Sequence, residues 1–532
     1  MAFRMKKILQ SVVLVILIFV LLGVVSVAVF RYYNRPPESL VFINGKVLTM
    51  DSDNSIADAV ALRWDRIAAV GSNDKIKGYI NNESIVIDLE GKTLVPGFVD
   101  AHSHFPGSGL SAVGVDLNSP PIGKITNITQ AIEALRNKAS EEQEGNWIYG
   151  FGYDDTLLTE NRHLNRIDLD KVSEDHPVFV SHISGHLGVA NTLALRQAGI
   201  TADTPDPEGG VIRKDAEGRP TGILEETGKD EMLKMAMDFS VWEFLAMIKR
   251  ANRDYTSTGV TTAQSGLCPE GFLKGLSLFS GLGLIPVRLM VWPDDKLGDK
   301  IISGEFNAEK HNSEMFQVGA VKLIADGSIQ GYTGYLSKPY HVPFKGDKEY
   351  RGYPVINREE LVSLVKKFHK AGMQLAVHGN GDAAIDDIIY AYSEAQKELP
   401  RGDSRHMVIH SQMARYDQLD AMKNWGIIPS FYSAHTYYWG DRHWDIFMGP
   451  ERARRMSPAR SASERGIRFT IHLDTPVVPM NPLLLVWSAV NRISTSGRVI
   501  GEEERISAVQ ALRAVTIDAA WQGFQEDNRG SI

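Results

Sequence analysis

The sequence predicts an α/β protein. Its centre is a (β/α)8 TIM barrel, with a small β-sandwich-like domain ahead of it, a large insertion after barrel strand 1, and an N-terminal transmembrane helix. Three observations predict this. Apolar runs alternate with helical stretches through the second half of the chain, short strands joined by turns precede them, and residues 11–30 are apolar and uncharged.

At about 1.5 Å per residue, that run spans roughly 30 Å of hydrocarbon as a helix. Arg4, Lys6 and Lys7 precede it. The positive-inside rule then predicts a cytoplasmic tail at 1–10, a single-pass signal-anchor at 11–30, a linker at 31–38 and an extracytoplasmic body at the cell membrane. A cleaved signal peptide is the competing reading, because Ser26-Val27-Ala28 resembles a cleavage site.

The small β-domain is expected at 39–95. Strands at 41–43 and 46–48 form a predicted hairpin about Asn44-Gly45, and strands at 59–64 and 67–71 another about Asp65. Shorter strands follow at 85–87 and 93–95. The barrel, 96–525, draws its strands from 97–102, 260–264, 286–291, 319–324, 374–378, 407–410, 427–430 and 468–472. Helices at 358–371, 383–397 and 418–424 lie between several of them. Residues 107–254 fit no single barrel unit and read as a folded insertion over one barrel face, and 526–532 as a return to the β-domain.

Composition excludes several functions. The 532 residues contain one cysteine, Cys268, so neither a disulfide scaffold nor a thiolate metal site is available. The net charge is −8, and the chain beyond residue 35 carries −13. Phosphate backbones would repel such a body, so nucleic acid is not an expected partner.

The metal ligands are the informative residues. His102 and His104 stand two apart at the end of an apolar run, where both imidazoles can face one ion. His378, His410 and Asp474 each follow another apolar run, which in a barrel is the catalytic face. Taken singly, each is equally a strand-end cap. Spacing makes them a set: 32 residues separate His378 from His410, and 64 separate His410 from Asp474, one and two β/α units. Lys322 interrupts the apolar run 319–324, where an ammonium is costly to bury. It reads either as a lysine paired with Asp326 or as a desolvated, reactive amine.

The run from Pro96 to His104 resembles the opening signature of the amidohydrolase superfamily of metal-dependent hydrolases. The stretches 322–328, 378–384, 474–477 and Gly185-His186-Leu187-Gly188-Val189-Ala190-Asn191 resemble its amidohydrolase-3 branch, which includes N-substituted formamide deformylase-like enzymes. The resemblance covers about residues 38–532. It implies His102 and His104 on one metal, His378 and His410 on a second, and Lys322, N-carboxylated by carbon dioxide, bridging them. Asp474 would bind metal and handle protons. The sequence departs from the branch in two places: His472 and Leu473 stand before Asp474 where small residues are usual, and Ala383 where an arginine is common.

These ligands suit one or two divalent ions, Zn²⁺ first, with Fe²⁺ or Mn²⁺ as alternatives. The expected reaction is hydrolysis of a non-peptide C–N bond in an amide- or formamide-like small molecule by metal-activated water. Asp474 is the expected catalytic proton carrier and His186 the expected donor to the oxyanion, ahead of Tyr153. Glu225 and Glu226 read as structural, and His163, His311 and His369 as surface or packing residues. An esterase or phosphoesterase on the same site, or a catalytically silent binding barrel, are the alternatives. A homo-oligomer is compatible with either. Family members usually continue through further strands that complete the small β-domain, so this chain reads as truncated, with unpaired strand edges expected near 40–95.

Overall fold

The computed structural model describes residues 37–532, together with Gly23 and Val25. Apart from those two residues, the tail and transmembrane helix expected at 1–30, and most of the linker, lie outside the described residues. Among the described residues, no helix is long and apolar enough to cross a membrane. The chain divides into two compact units. One comprises the chain up to Pro96 with Gly275–Pro286 and Ser531–Ile532, and the other comprises Gly97–Lys274 and Val287–Gly530.

The first unit contains two small sheets. Arg66–Gly71, Ala59–Arg63, Ser39–Ile43 and Ser84–Asp88 form one in that order, and Ile56–Ala57, Lys46–Leu48 and Thr93–Leu94 form the other. Val41, Ala59, Ala61, Ala69 and Ile76 make its core. The hairpin expected about Asp65 forms, with Ala59–Arg63 antiparallel to Arg66–Gly71. The hairpin expected about Asn44-Gly45 does not. Its two strands belong to different sheets, because the Asn44 N–H bonds to Asn73 Oδ1 and the Gly45 N–H to the Asp58 carbonyl. Asn44 takes a left-handed φ of 56°, and a Cβ at Gly45 would lie 2.2 Å from Leu89 Cδ1. The turn therefore passes the chain from one sheet to the other. Ser84–Asp88 is an edge strand that exposes Ile85, Val86 and Ile87.

In the second unit, parallel strands follow one another in chain order. Phe98–Val99, Val260–Cys268, Arg288–Pro293 and Phe316–Val318 pair in sequence. Val321–Ile324 resumes the fourth position after Gly319-Ala320, and Leu375–Gly379, Met407–His410, Ile428–Phe431 and Thr470–Ile471 continue from it. The ring closes through backbone bonds beyond the strand ends: the Asp474 N–H donates to the His102 carbonyl, and the His104 N–H to the Thr475 carbonyl. Eight strand positions thus form the parallel arrangement of a (β/α)8 barrel. Helices Arg358–Lys370, Asp382–Glu398 and Tyr416–Trp425 lie between strands, close to their expected bounds.

The insertion builds a six-stranded sheet of its own. Its order is Gly210–Lys214, Pro220–Glu226, Leu187–Ala190, Val178–His182, Ile148–Tyr153 and Val115–Asp116. One face packs on Ile128, Ile132 and Leu135 from helix Ile128–Ala139, and another cluster joins Phe179 and Leu224 to Met232 and Met247. The sheet carries His186 and Glu226 toward the barrel centre.

Candidate metal centre

The first barrel strand ends at Val99, and the chain runs on with His104 bridged to Ser265 of its neighbour. Asp100 pins this stretch. Its carboxylate accepts the His102 N–H, the Ser103 hydroxyl and the Gln264 N–H, and burial pushes its pKa up to about 7. His102 and His104 therefore leave the strand end facing inward.

His102, His104, Lys322, His378, His410 and Asp474 converge. Asp474 Oδ1 lies 3.4 Å from His102 Nε2 and 3.3 Å from His104 Nε2, and Asp474 Oδ2 lies 4.0 Å from His410 Nε2. His410 Nε2 is 3.0 Å from His378 Nδ1, and Lys322 Nζ is 3.0 Å from His102 Nε2. His102, His410 and Asp474 alone place their ligand atoms close enough for one ion. His410 and Asp474 hold left-handed φ values of 73° and 57°. Such backbone costs on the order of 1–3 kcal/mol per residue and is kept where surrounding structure enforces it.

The outer nitrogens explain why a cation fits. His102 Nδ1 is 3.0 Å from Gln264 Oε1 and His104 Nδ1 is 3.0 Å from the Gly266 carbonyl. Both oxygens can only accept, so these two outer nitrogens carry the proton and the inner nitrogens are bare lone pairs. His378 Nε2 lies between the Gly327 carbonyl at 3.2 Å and the Asn380 amide nitrogen at 3.0 Å. Asp474 Oδ1, also buried, has no hydrogen-bond donor. Lone pairs and a carboxylate facing one another repel unless a positive ion sits among them, and the donor set suits a divalent one. Burial pushes His102, His378 and His410 well below the usual histidine range, which keeps them neutral and able to ligate.

Lys322 is buried with no carboxylate in contact, and Asp326 is not its partner. Asp326 instead accepts the Tyr335, Asn380 and Gly381 N–H groups. Burial lowers the Lys322 pKa to about 7, so an appreciable fraction is free amine. Trp292 stacks on His102, ring centroids 5.3 Å apart and planes within 9°, and closes one side of the centre.

His186 reaches the centre from the insertion. Its ring meets His378 edge-on at 4.9 Å, and its Nδ1 lies 2.8 Å from Glu226 Oε2. Sequence reasoning assigned Glu226 to structure alone. No local signal links residues 40 apart, and only the pairing of Leu187–Ala190 with Pro220–Glu226 brings them together. Glu225 pairs with Arg213 and Tyr353.

Tyr153 is not part of this set. Its hydroxyl is 3.2 Å from His163 Nδ1, so the phenol is engaged within the insertion. His163, expected at the surface or in packing, lies in a buried cluster with Asp155 and His182. Asp154, Asp155 and His182 have the spacing of metal ligands but not the chemistry. The Asp154 oxygens are taken by Thr156 and Arg442. The Ser184 N–H donates to His182 Nδ1, so His182 Nε2 carries a proton and donates to Asp155. His369 is buried as well, bonded to His406 and the Leu399 carbonyl, while His311 stacks on Phe306.

Fold and centre together define a barrel hydrolase of the metal-dependent kind. The chain belongs to the Amidohydrolase family, whose model matches residues 85–532. It is 28% identical over 510 residues to the N-substituted formamide deformylase of Arthrobacter pascens, covering 93% of this chain and 91% of that one. It is likewise 28% identical over 505 residues to the protein LONG AFTER FAR-RED 3 of Arabidopsis thaliana, covering 93% and 85%. In fold it matches the crystal structure of an uncharacterized metal-dependent hydrolase from Pyrococcus horikoshii, with a TM-score of 0.73 at 24% identity over 93% of this chain and 94% of that one.

Proposed function

We propose that this chain hydrolyses a non-peptide C–N bond in a small amide- or formamide-like molecule. The observation that carries the reading is the convergence of bare imidazole nitrogens on an unprotonated Asp474 oxygen. His102 and His104 would hold one divalent ion, Zn²⁺ first, and His378 and His410 a second. When bound, the metal lowers the pKa of water at the site and polarises the scissile carbonyl.

The remaining steps belong to side chains. Lys322, as free amine, would add to carbon dioxide with release of a proton, and the carbamate so formed would give the divalent ions further oxygen ligands. Asp474 accepts the proton that the attacking water loses and returns it to the leaving nitrogen. His186, with Nδ1 engaged by Glu226, offers Nε2, which in the protonated ring donates to the developing oxyanion. The relative that deformylates N-substituted formamides supports amides as the substrate class. The uncharged run at 11–30 supports a body tethered outside the cytoplasmic membrane.

Elemental mass spectrometry of the full chain, beside Lys322→Ala, tests the centre. About two ions per chain, falling in the variant, is the expected result. One ion unaffected by the substitution would remove the carbamate bridge, and no metal after reconstitution with zinc would refute the hydrolase reading. A loaded enzyme that cleaves esters and no amide would refute the bond assignment.

A further inference from the structure

Two of the four histidines at the centre, His102 and His104, lean on fixed carbonyl oxygens, and a third, His378, lies between a carbonyl and an amide donor. The fourth, His410, does neither: its Nδ1 lies 3.0 Å from His472 Nε2, an atom that either donates or accepts. Which it does decides whether His410 Nε2 is a lone pair or an N–H. The answer is written further down the barrel interior.

Gln522 starts the chain of bonds. Its Nε2 donates to the Ala101 carbonyl at 2.8 Å, and a flipped amide would set two acceptors against each other there. Its Oε1 therefore faces Thr470 Oγ1 at 2.6 Å, and the Thr470 proton is committed to it. Thr470 then accepts from Ser430, whose Oγ is 2.8 Å away. With that proton spent, Ser430 Oγ must accept from His472 Nδ1 at 2.9 Å. His472 Nε2 is left bare, so the proton of the next bond sits on His410 Nδ1. His410 Nε2 then points its lone pair at the centre, 3.0 Å from His378 Nδ1. Every member is buried: His472 is 1% exposed, Gln522 2%, and Ser430 and Thr470 fully enclosed.

We propose that His472, oriented through Ser430, Thr470 and Gln522, is a positioning residue that holds His410 in its ligating tautomer. The inference rests on the metal-centre reading above. An imidazole whose own tautomer is dictated from Gln522 does at His410 what carbonyl oxygens do at His102 and His104. His472 touches neither substrate nor ion. Its effect passes wholly through His410.

The test compares His472→Gln and His472→Phe in the full chain, with Zn²⁺ affinity read by competition against a chromophoric chelator. Glutamine can set its Oε1 where the histidine Nε2 lay and again accept from His410, whereas phenylalanine fills the space without an acceptor. Expected is a loss of about 10–100-fold in affinity for His472→Phe and near-native affinity for His472→Gln. Native affinity in His472→Phe would overturn the proposal, as would equal damage in both variants. A mere packing role would favour phenylalanine over glutamine, the reverse order.

Ser430→Ala supplies a second route should the phenylalanine variant fail to fold. It removes the acceptor for His472 Nδ1–H, so zinc affinity should fall while the fold is kept. Unchanged affinity there also overturns the proposal. Native protein that binds no zinc would defeat the metal reading itself, and this shows in the native sample before any variant is compared.

Discussion

Replacing Gln264 by leucine separates fold stability from metal affinity at a single atom. Gln264 is 1% exposed, and its Oε1 accepts from two donors at once, His102 Nδ1 at 3.0 Å and the Ser103 N–H at 2.9 Å. Its Nε2 has no partner, so nothing is lost on that side. Leucine nearly conserves volume, which keeps the cavity contribution small. Two buried donors are stranded instead, at roughly 1–3 kcal/mol each, so the metal-free chain should lose about 2–6 kcal/mol. The His102 ring is also freed to take either tautomer, which should weaken metal binding about 10–100-fold. Urea denaturation of the metal-free protein reads the first quantity and chelator competition the second. A variant that loses stability but binds zinc as tightly as the native chain would refute the claim that this acceptor sets the His102 tautomer.

Three further outcomes are expected. Glu226→Gln should lower kcat about 10²-fold with metal content unchanged, because the carboxylate beside His186 Nδ1 is gone; a matching loss of metal would place Glu226 with the ligands instead. Gly381→Ala should cost at least about 3 kcal/mol or abolish soluble expression, since the new Cβ would lie 1.8 Å from the Tyr335 carbonyl oxygen; a native urea midpoint would contradict that loop packing. Acid should destabilise the barrel through His406, which burial pushes well below the usual histidine range. The unfolded chain takes up that proton first as pH falls through about 6.5, so stability present above that pH declines below it by about 1.4 kcal/mol per pH unit. Other buried histidines add to the same decline, so His406→Asn should make the measured slope shallower by about that amount, and urea midpoints of native and variant between pH 7 and 5 read the difference.

The candidate ligands were legible in the sequence because each closes an apolar run or, at Lys322, interrupts one, and a polar residue at such a place stands out. Their acceptors were not. Gly266 and Gly327 act through backbone carbonyls, which no side chain marks, and Gln264 lies 162 residues from the ring it serves. His472 was visible only as a departure from a pattern, without a role, because its partners Ser430 and Gln522 belong to other β/α units. The partners of His163 and His369 were hidden for a related reason. A histidine with a dedicated partner is as well hidden as a leucine, and their partners Tyr153 and His406 are not neighbours in the chain. The Asn44-Gly45 turn misled differently: its local geometry is turn-like, but whether a chain returns or crosses to a second sheet is decided by residues as distant as Asn73.

The bonds that tie His102 to Asp474 and His104 to Thr475 join the first strand position of the barrel to its last. About 370 residues of chain separate the two, so an emerging polypeptide exposes two of its six candidate ligands long before the last exists. Long-range closure of this kind is slow and comes late in folding. The two opening histidines must wait, able to capture stray ions singly, until the final strand arrives. The order in which the chain emerges thus makes the candidate centre one of the last parts of the barrel to form.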